Sequence, residues 1–447
     1  MARLYLIIYA WCLLVPSTFA IDITLKQNIN NGENILTQEM FSESNCSYKV
    51  KYEFSLDGKN IDLPPNTTLV FSSRGSISNG VITGNKSNIR ARKNKCIFNR
   101  VEISGVWNTR DIYSNWFAFE DDAAWNSVYF QNMCNLTSDN YLGVIHISKG
   151  DYIIQATKER EKVIAPNSNT IILLDGNIVL KKNGLPKYSI FTINGGKNNI
   201  KILGKGSLVG DVANHMGDKG QHGMGIWIYE ADSILIRDIN IKNCWGDCIY
   251  IGQTKVCADN YASNVVIENV TCDSGRRQGL SLIAGKNIAI RNCSFFNIGS
   301  IKFTPPGAGI DIEPNSNEDS TLENVNIDNC MFCGNTKYCD ISTRNMNVAK
   351  NITISNCKID KIAFQRNTDN LIIDSCEVNK VIYISPMSKK ILFKNSSINS
   401  KLPRNKELVT LDNCNYLGIE TSYLWVGGAV GAIILFGTCA KWLCYNK

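Results

Sequence analysis

Apolar and polar residues alternate with a period of two along the middle of the chain, in short phrases that recur. Seven phrases between residues 233 and 400 share two alternating apolar positions, a polar corner and a second alternating piece: SILIRDINIKNC, NVVIENVTC, NIAIRNCSF, NVNIDNCMF, NITISNCKI, NLIIDSCEV and KILFKNSSI. Their starts lie 19 to 37 residues apart. This pattern is typical of the coils of a β-solenoid with connecting loops of variable length.

A second set of strands is predicted to stack in register, from the alignment of GMGIWIY, GDCIYIG, RQGLSLI and GAGIDIE. Its inward column is Ile226, Ile249, Leu280 and Ile310, and its outward column is Trp227, Tyr250, Ser281 and Asp311, extended by Asp340 of YCDIS. Neighbouring coils are ~4.8 Å apart, so stacking would hold these side chains in fixed positions. Corner cysteines are expected to stack as buried, reduced thiols: Cys293, Cys330, Cys357 and Cys376.

The two ends of the chain differ from this pattern. Residues 1–20 combine Arg3, an apolar run and a small-residue end, which predicts a secretory signal peptide cleaved after Ala20. Residues 423–440 contain no charge and are long enough for a transmembrane helix, followed by a short basic tail over 441–447. The sequence therefore predicts an exported protein that is anchored to a membrane by its C-terminal helix.

Between these ends, a smaller β-rich part is predicted over 21–110 and the main solenoid over 111–415. The stretch FEDDAAWNSVYFQNMC, residues 119–134, predicts a short helix that caps the solenoid. The formal net charge is +7, and no basic block stands out along the chain. A nucleic-acid partner is therefore not expected.

The DDAAW helix, the KGDY turn and the coil phrases resemble the pectate-lyase-like superfamily of right-handed parallel β-helix proteins. SISNGVITGN, RRQGLSLI and PGAGIDIEPN resemble uncharacterised secreted members of the Bacteroidetes type more closely. The resemblance covers roughly residues 60–400. It implies an all-β fold, a right-handed parallel β-helix, and a function in polysaccharide chemistry, although this fold also hosts inert proteins.

Within that superfamily, GDCIYIG is similar to the GDDCIAIG strand of polygalacturonases, which cut pectic chains by inverting hydrolysis. Asp247 matches one aspartate of their catalytic pair, whereas Cys248 occupies the position of the second. The Asn-x-Asp, Gly-His-Gly and Arg-x-Lys motifs of the family have no match. The resemblance therefore implies a catalytic role for Asp247 and leaves the rest of the standard mechanism in doubt.

The candidate catalytic residues are Asp247, Asp311, Glu313 and Arg277, and the candidate sugar-contacting residues are Trp227, Tyr250, Arg276 and His222. A glycoside hydrolase uses two carboxyl groups as acid and as base or nucleophile, and aromatic rings stack on sugars. The favoured prediction is accordingly a polysaccharide hydrolase that acts on an acidic or branched glycan and needs no cofactor.

Two alternatives stay open on the same residues. In the first, Asp311, Glu313 and Asp340 bind Ca²⁺ and Arg277 is the base of a polysaccharide lyase. In the second, the surface only binds glycans or has a structural role, and Asp311 and Glu313 are solvated or ion-paired strand residues. A catalytic site requires paired carboxyls with perturbed pKa values, whereas a binding module does not.

Overall fold

The computed structural model describes residues 21–253, 261–315, 321–335 and 338–425. These residues form an all-β chain with one 30-stranded sheet, one 7-stranded sheet and a two-stranded ribbon. The N-terminal sheet comprises Ile21–Thr24, Cys46–Val50, Glu53–Ser55, Asn60–Asp62, Thr68–Phe71, Ser76–Arg90 and Phe98–Trp107. The ribbon pairs Ile29–Asn30 with Glu33–Asn34, and short 3₁₀ turns occupy Gln38–Met40, Ser114–Trp116, Met346–Val348 and Lys406–Leu408.

The large sheet begins at Asp111–Tyr113 and winds through three rows of parallel strands. The first row contains Gly143–Ile147, Thr170–Leu174, Lys197–Leu203, Ala231–Arg237, Ala262–Glu268, Gly285–Arg291, Leu322–Asp328, Ala349–Ser355, Leu371–Asp374, Ile391–Lys394 and Val409–Tyr416. The second row contains Asp151–Ile154, Asn177–Leu180, Ser207–Val209, Asn240–Lys242, Thr271–Asp273, Ser294–Phe296, Met331–Cys333 and Ser397–Ile398. The third row contains Lys162–Ile164, Lys187–Ile193, His222–Tyr229, Ile249–Gly252, Gln278–Leu282, Ala308–Ile312 and Cys339–Thr343. Lys358–Phe364 and Glu377–Ile384 run through both the second and the third rows.

The predicted register of the third row is confirmed. Ile226 pairs with Ile249, Ile249 with Leu280, and Leu280 with Ile310, and all four side chains are buried in the central core. A strand buries alternate side chains, so each neighbouring residue points away from that core. The parallel β-solenoid predicted from the period-two pattern is therefore the observed fold.

Asparagine residues at positive φ make many of the corners. Asn264, Asn287, Asn324 and Asn351 have φ between 52° and 56° and lie on successive coils. From Asn287 onward, each side-chain amide donates to the side-chain oxygen of the preceding asparagine, at 3.0, 3.0 and 2.8 Å, and Asn264 donates to Asp232. Asparagine tolerates the left-handed region better than other non-glycine residues, and this ladder uses its side chain as well.

The predicted thiol stack lies at a neighbouring corner of the same coils. Cys293, Cys330, Cys357 and Cys376 are all buried and unoxidised. The Cys330 amide donates to Cys357 Sγ and the Cys357 amide to Cys376 Sγ, both at 3.4 Å. The thiols therefore both fill the interior and accept backbone hydrogen bonds.

The short helix predicted over 119–134 is observed as Ala123–Asn135. The Asp122 carboxylate caps it by accepting from the amides of Ala124 and Trp125. The helix packs on Phe98–Trp107, and Asn132 bonds the backbone of Val101 and Ile103. It thus closes the junction between the N-terminal sheet and the main solenoid.

The predicted C-terminal transmembrane helix is wrong for the residues described. Ile419–Trp425, which includes the first three residues of the predicted span, is a strand antiparallel to Val409–Tyr416. No helix within 21–253, 261–315, 321–335 or 338–425 is long and apolar enough to cross a membrane. Residues 426–447 and the predicted signal peptide over 1–20 lie outside the described residues.

The stacked core yields a stability prediction. Ile327 is fully buried in the first row, whereas its neighbour Asn326 is exposed. Ile327→Ala leaves a cavity between coils and should lower the free energy of unfolding by about 2–5 kcal/mol. Urea denaturation followed by circular dichroism measures this loss. Asn326→Ala is the matched control, and an equal loss in the two variants would contradict the assigned register.

Candidate functional site

The outward column of the third row has the predicted composition over four coils. Trp227 pairs with Tyr250, Tyr250 with Ser281, and Ser281 with Asp311. The column continues to Ser342, which pairs with Asp311. Parallel pairing therefore places two aromatic rings, a hydroxyl and a carboxylate in one line.

Asp340 does not continue this column, in contrast to the prediction. Ile341 pairs with Ile310, so Asp340 precedes the inward residue, whereas Asp311 follows it. The Asp340 carboxylate instead accepts from Asn335 and from the amides of Asp360 and Lys361. The prediction that it extends the column beside Asp311 is therefore wrong.

Asp247 and Arg277 form a buried ion pair beside the column. Arg277 Nη1 lies 3.7 Å from Asp247 Oδ2, which also accepts from Ser281 Oγ at 2.8 Å. Burial, together with the charge of Asp311, raises the pKa of Asp247 to about 6, against the opposing effects of Arg277 and of the hydrogen bond from Ser281. Asp247 is thus linked to the column by its hydrogen bond from Ser281 and by the charge of Asp311.

Asp311 and Glu313 share a second arginine, Arg344. Its Nη1 lies 3.2 Å from Glu313 Oε1 and its Nη2 lies 3.6 Å from Asp311 Oδ2. Gln278 Nε2 donates to the same Asp311 oxygen at 2.8 Å. The pairing of Thr343 with Ile312 places Arg344 in register with Glu313. Neither Arg344 nor Gln278 is among the residues that the sequence predicts for this site.

The pKa of Glu313 rises to about 7. Burial is the largest cause, followed by the negative charge of Asp311 and a hydrogen bond to it, while Arg344 acts in the opposite direction. Two carboxyls on one face of a strand cannot both ionise freely at short range. The Asp311–Glu313 pair therefore retains one proton up to near-neutral pH.

Solvent reaches these groups unequally. The side chains of Asp247 and Asp311 are fully buried, whereas those of Glu313 and Arg344 are 27% and 24% exposed. Asp247 Oδ1, Asp311 Oδ1 and Gln278 Oε1 are buried acceptors that no described residue hydrogen-bonds. Glu313 is thus the carboxyl of this cluster that solvent reaches, with proton acceptors behind it.

Trp227 and Tyr250 contact each other, and Trp227 also contacts a lysine. Trp227 meets Tyr250 edge-on, with ring centroids 5.6 Å apart, and Lys187 Nζ lies 5.0 Å from the Trp227 centroid. Burial and the charge of Asp247 raise the pKa of Tyr250 to about 12, so its hydroxyl stays protonated. The aromatic residues are therefore continuous with the carboxylate cluster.

The two other predicted sugar-contacting residues, His222 and Arg276, lie in different surroundings. Burial lowers the pKa of His222, as do the nearby charges of Arg277 and Lys187, which places this ring at the edge of the cluster. Arg276 turns away: its guanidinium stacks on Trp245 at 3.7 Å and donates to the carbonyls of Gly220 and Lys302. Arg276 holds loops together and does not face the carboxylates.

A buried pair, Asp211 and His215, lies behind Arg276. His215 Nδ1 bonds Asp211 Oδ2 at 2.9 Å, and its ring stacks on Trp245 with centroids 3.8 Å apart. The Tyr188 hydroxyl donates to the other oxygen of Asp211. The His215 side chain is fully buried, so this pair anchors the loop before His222–Tyr229 and has no access to a substrate.

The Ca²⁺ prediction would need Asp311, Glu313 and Asp340 together. Across the part of the chain that the structure describes, no group of three or more His, Cys, Asp or Glu residues is arranged to hold a metal ion. Asp311 and Glu313 are already paired with Arg344, and Asp340 has amide partners of its own.

With this geometry in place, comparison with known proteins identifies the fold. A family model described as "Right handed beta helix region" matches residues 164–348. The matched residues are therefore similar to a right-handed β-helix region, in agreement with the parallel rows of strands observed. At the level of the fold, this match is consistent with the predicted resemblance to the pectate-lyase-like superfamily.

A solved structure with a TM-score above 0.5 agrees with this fold. This β-helix protein is similar to a tailspike protein of the Acinetobacter baumannii bacteriophage Fri1, a capsular polysaccharide depolymerase, with a TM-score of 0.51 and 14% identity over 70% of this chain and 61% of that chain. An exopolygalacturonase from Thermotoga maritima aligns with a TM-score of 0.48 and 13% identity, over 67% of this chain and 90% of that chain. At these identities the likeness concerns the fold alone.

A curated relative is the SPbeta prophage-derived uncharacterized protein YorA of Bacillus subtilis. It is 26% identical over 219 residues, which cover 44% of this chain and 36% of the relative. The β-helix protein therefore spans about a third of the length of that relative in the match.

The perturbed carboxyl leads to a prediction about pH and stability. Because the folded protein keeps a proton on Glu313 that the unfolded chain releases, its stability should fall as pH rises from 4.5 to about 7. That pKa difference corresponds to at most roughly 3 kcal/mol. Glu313→Gln should remove this part of the decline in urea titrations at pH 4.5, 6 and 8.

The surface carboxyl variant Glu377→Gln is the control, since its side chain is 43% exposed and lies outside the cluster. Curves for Glu313→Gln that run parallel to the wild type would show that Glu313 does not bind the extra proton.

Proposed function

We propose that this β-helix protein is a glycoside hydrolase that cleaves an acidic polysaccharide at the Asp247–Asp311–Glu313 cluster. The observation that carries the proposal is the Asp311–Glu313 pair, which shares Arg344 and keeps one proton near neutral pH. A proton held at this pKa is available to a leaving glycosidic oxygen, and the neighbouring carboxylate can act as its partner.

Glu313 is the proton donor in this proposal. It is partly exposed, it is protonated at mildly acidic to neutral pH, and Arg344 fixes its orientation. Asp311 is the second carboxyl, because its Oδ1 has no hydrogen-bond partner among the described residues. Because its side chain is fully buried, it acts through its negative charge, which stabilises the positive charge that develops on the sugar.

Asp247 and Arg277 complete the cluster as an electrostatic support. Arg277 balances the negative charge, and the Asp247 bond to Ser281 orders the residue next to Asp311 in the column. We assign Asp247 a positioning role, because it pairs with Arg277 and, unlike Asp311, does not share Arg344 with the exposed Glu313. This differs from the direct catalytic role that the polygalacturonase resemblance implies.

The surroundings of Arg277 favour hydrolysis over elimination. A lyase base must release its proton, yet Asp247, then Asp311, Glu313 and Tyr250, raise the pKa of Arg277. Arginine in such an environment remains protonated. Arg277 is thus suited to charge stabilisation and poorly suited to proton abstraction.

The substrate class comes from two sources. The bacteriophage tailspike with the same fold is described as a capsular polysaccharide depolymerase, and this supports a polysaccharide as the ligand. The arginines and the nearby lysines support an acidic one, because cations along a binding face favour anionic chains.

The test is an assay of new reducing ends on a panel of acidic polysaccharides. Glu313→Gln and Asp311→Asn should each lower turnover at least about 100-fold, because they remove the proton donor and its partner. Glu377→Gln, at a surface ion pair, should retain wild-type turnover. Unsaturated products detected by ultraviolet absorbance would instead indicate a lyase.

Wild-type turnover in Glu313→Gln would exclude the assigned proton donor. Binding of an acidic polysaccharide by the intact protein without any cleavage would replace the hydrolase with a glycan-binding function.

A further inference from the structure

Two lysines lie over the aromatic rings at the upstream end of the third row. Lys187 Nζ is 5.0 Å from the centroid of Trp227, and Lys162 Nζ is 5.5 Å from that of Tyr229. The centroids of the two rings are 5.6 Å apart, so the two lysines contact neighbouring rings. Both lysines are exposed to solvent.

These lysines differ from the arginines of the same face in their counterions. Arg277 and Arg344 each pair with a carboxylate of the cluster. Neither Lys162 nor Lys187 forms an ion pair with any carboxylate of the residues that the structure describes. Contact with an aromatic face stabilises an ammonium group only modestly at an exposed site and leaves its charge free to attract an anion.

The lysines are continuous with the carboxylate cluster. Lys187 pairs in register with His222, and the charges of both Lys187 and Arg277 act on His222. The Trp227 ring, which Lys187 contacts, also contacts Tyr250, and the charge of Asp247 raises the pKa of Tyr250. Lys187–Ile193 and Ile249–Gly252 are two rungs apart in the row, about 10 Å at the usual strand spacing. A single glycan chain lying along the row can therefore reach both.

We propose that Lys162 and Lys187, supported by Tyr229 and Trp227, form an anion subsite that binds a carboxylate or sulfate group of the glycan. The subsite rests on the proposed function for the polysaccharide nature of its ligand. It gives the binding face a polarity, with substrate anions held at the upstream coils and the proton donor at the downstream coils. Trp227 then acts as the platform of Lys187, because that ammonium lies over its ring.

The test is affinity electrophoresis of the full chain through gels that contain polygalacturonate, alginate, heparin or uncharged dextran. The proteins carry Glu313→Gln, so that cleavage does not alter the gel matrix. At least one anionic glycan should retard the parent, and Lys162→Met with Lys187→Met should weaken that binding at least tenfold. Dextran should not retard either protein. Added NaCl should weaken the parent's binding, since exposed charge interactions are screened.

The control carries Lys350→Met and Lys394→Met, which remove the same charge from exposed positions in the first row. It should bind like the parent. Equal weakening in the control, unchanged binding in the Lys162 and Lys187 variant, or no retardation by any of the three anionic glycans would overturn the subsite. Turnover is measured separately on proteins with Glu313 intact. Lysine-dependent binding without turnover would reject the hydrolase and keep the subsite, whereas turnover with lysine-independent binding would do the reverse.

Discussion

Each coil of the solenoid must satisfy its backbone hydrogen bonds with the coils before and after it, and this pairing fixes which side chains share a face. The inward residues of the third row become a continuous apolar core, as Ile249, Leu280 and Ile310 do. The same pairing sets the positions of the outward residues, which lie in lines with one strand spacing between neighbours. Ser281 and Asp311 are neighbours because their strands are paired, and Asp247 reaches them through its bond to Ser281.

This rigid placement explains how carboxyls can be held together despite their repulsion. The core supplies the stability, so the outward face can retain Asp311 beside Glu313 at an energetic cost. Arg344 lowers that cost by pairing with both carboxyls. The repulsion that remains between them is relieved by the proton that Glu313 retains near neutral pH. Upstream, Lys187 lies over the ring of Trp227 and forms no ion pair with a carboxylate of the described residues. Along the solenoid axis, lysines without a carboxylate partner among the described residues are therefore followed by carboxyls that are paired with arginines.

The sequence was sufficient to predict the fold and part of the site, for a physical reason. Period-two patterns report the inward column directly, and the outward column follows from it, so Asp311 was found. Asp340 was misplaced because it precedes its inward isoleucine, whereas Asp311 follows its own. The same alignment of Ile341 with Ile310 would have found Arg344 opposite Glu313. Burial of Asp247 depends on packing around the column, which no spacing in the sequence reveals.

The central claim is that Glu313 donates a proton to a glycan lying along the third row. The most direct measurement is a crystal structure of the Glu313→Gln protein with an acidic oligosaccharide that it binds. The account predicts a glycosidic oxygen within hydrogen-bond distance of the side chain at position 313 and a sugar anion beside Lys187. An oligosaccharide bound to the first or second row, or one whose anions point away from Lys187 and whose linkages lie far from position 313, would contradict it.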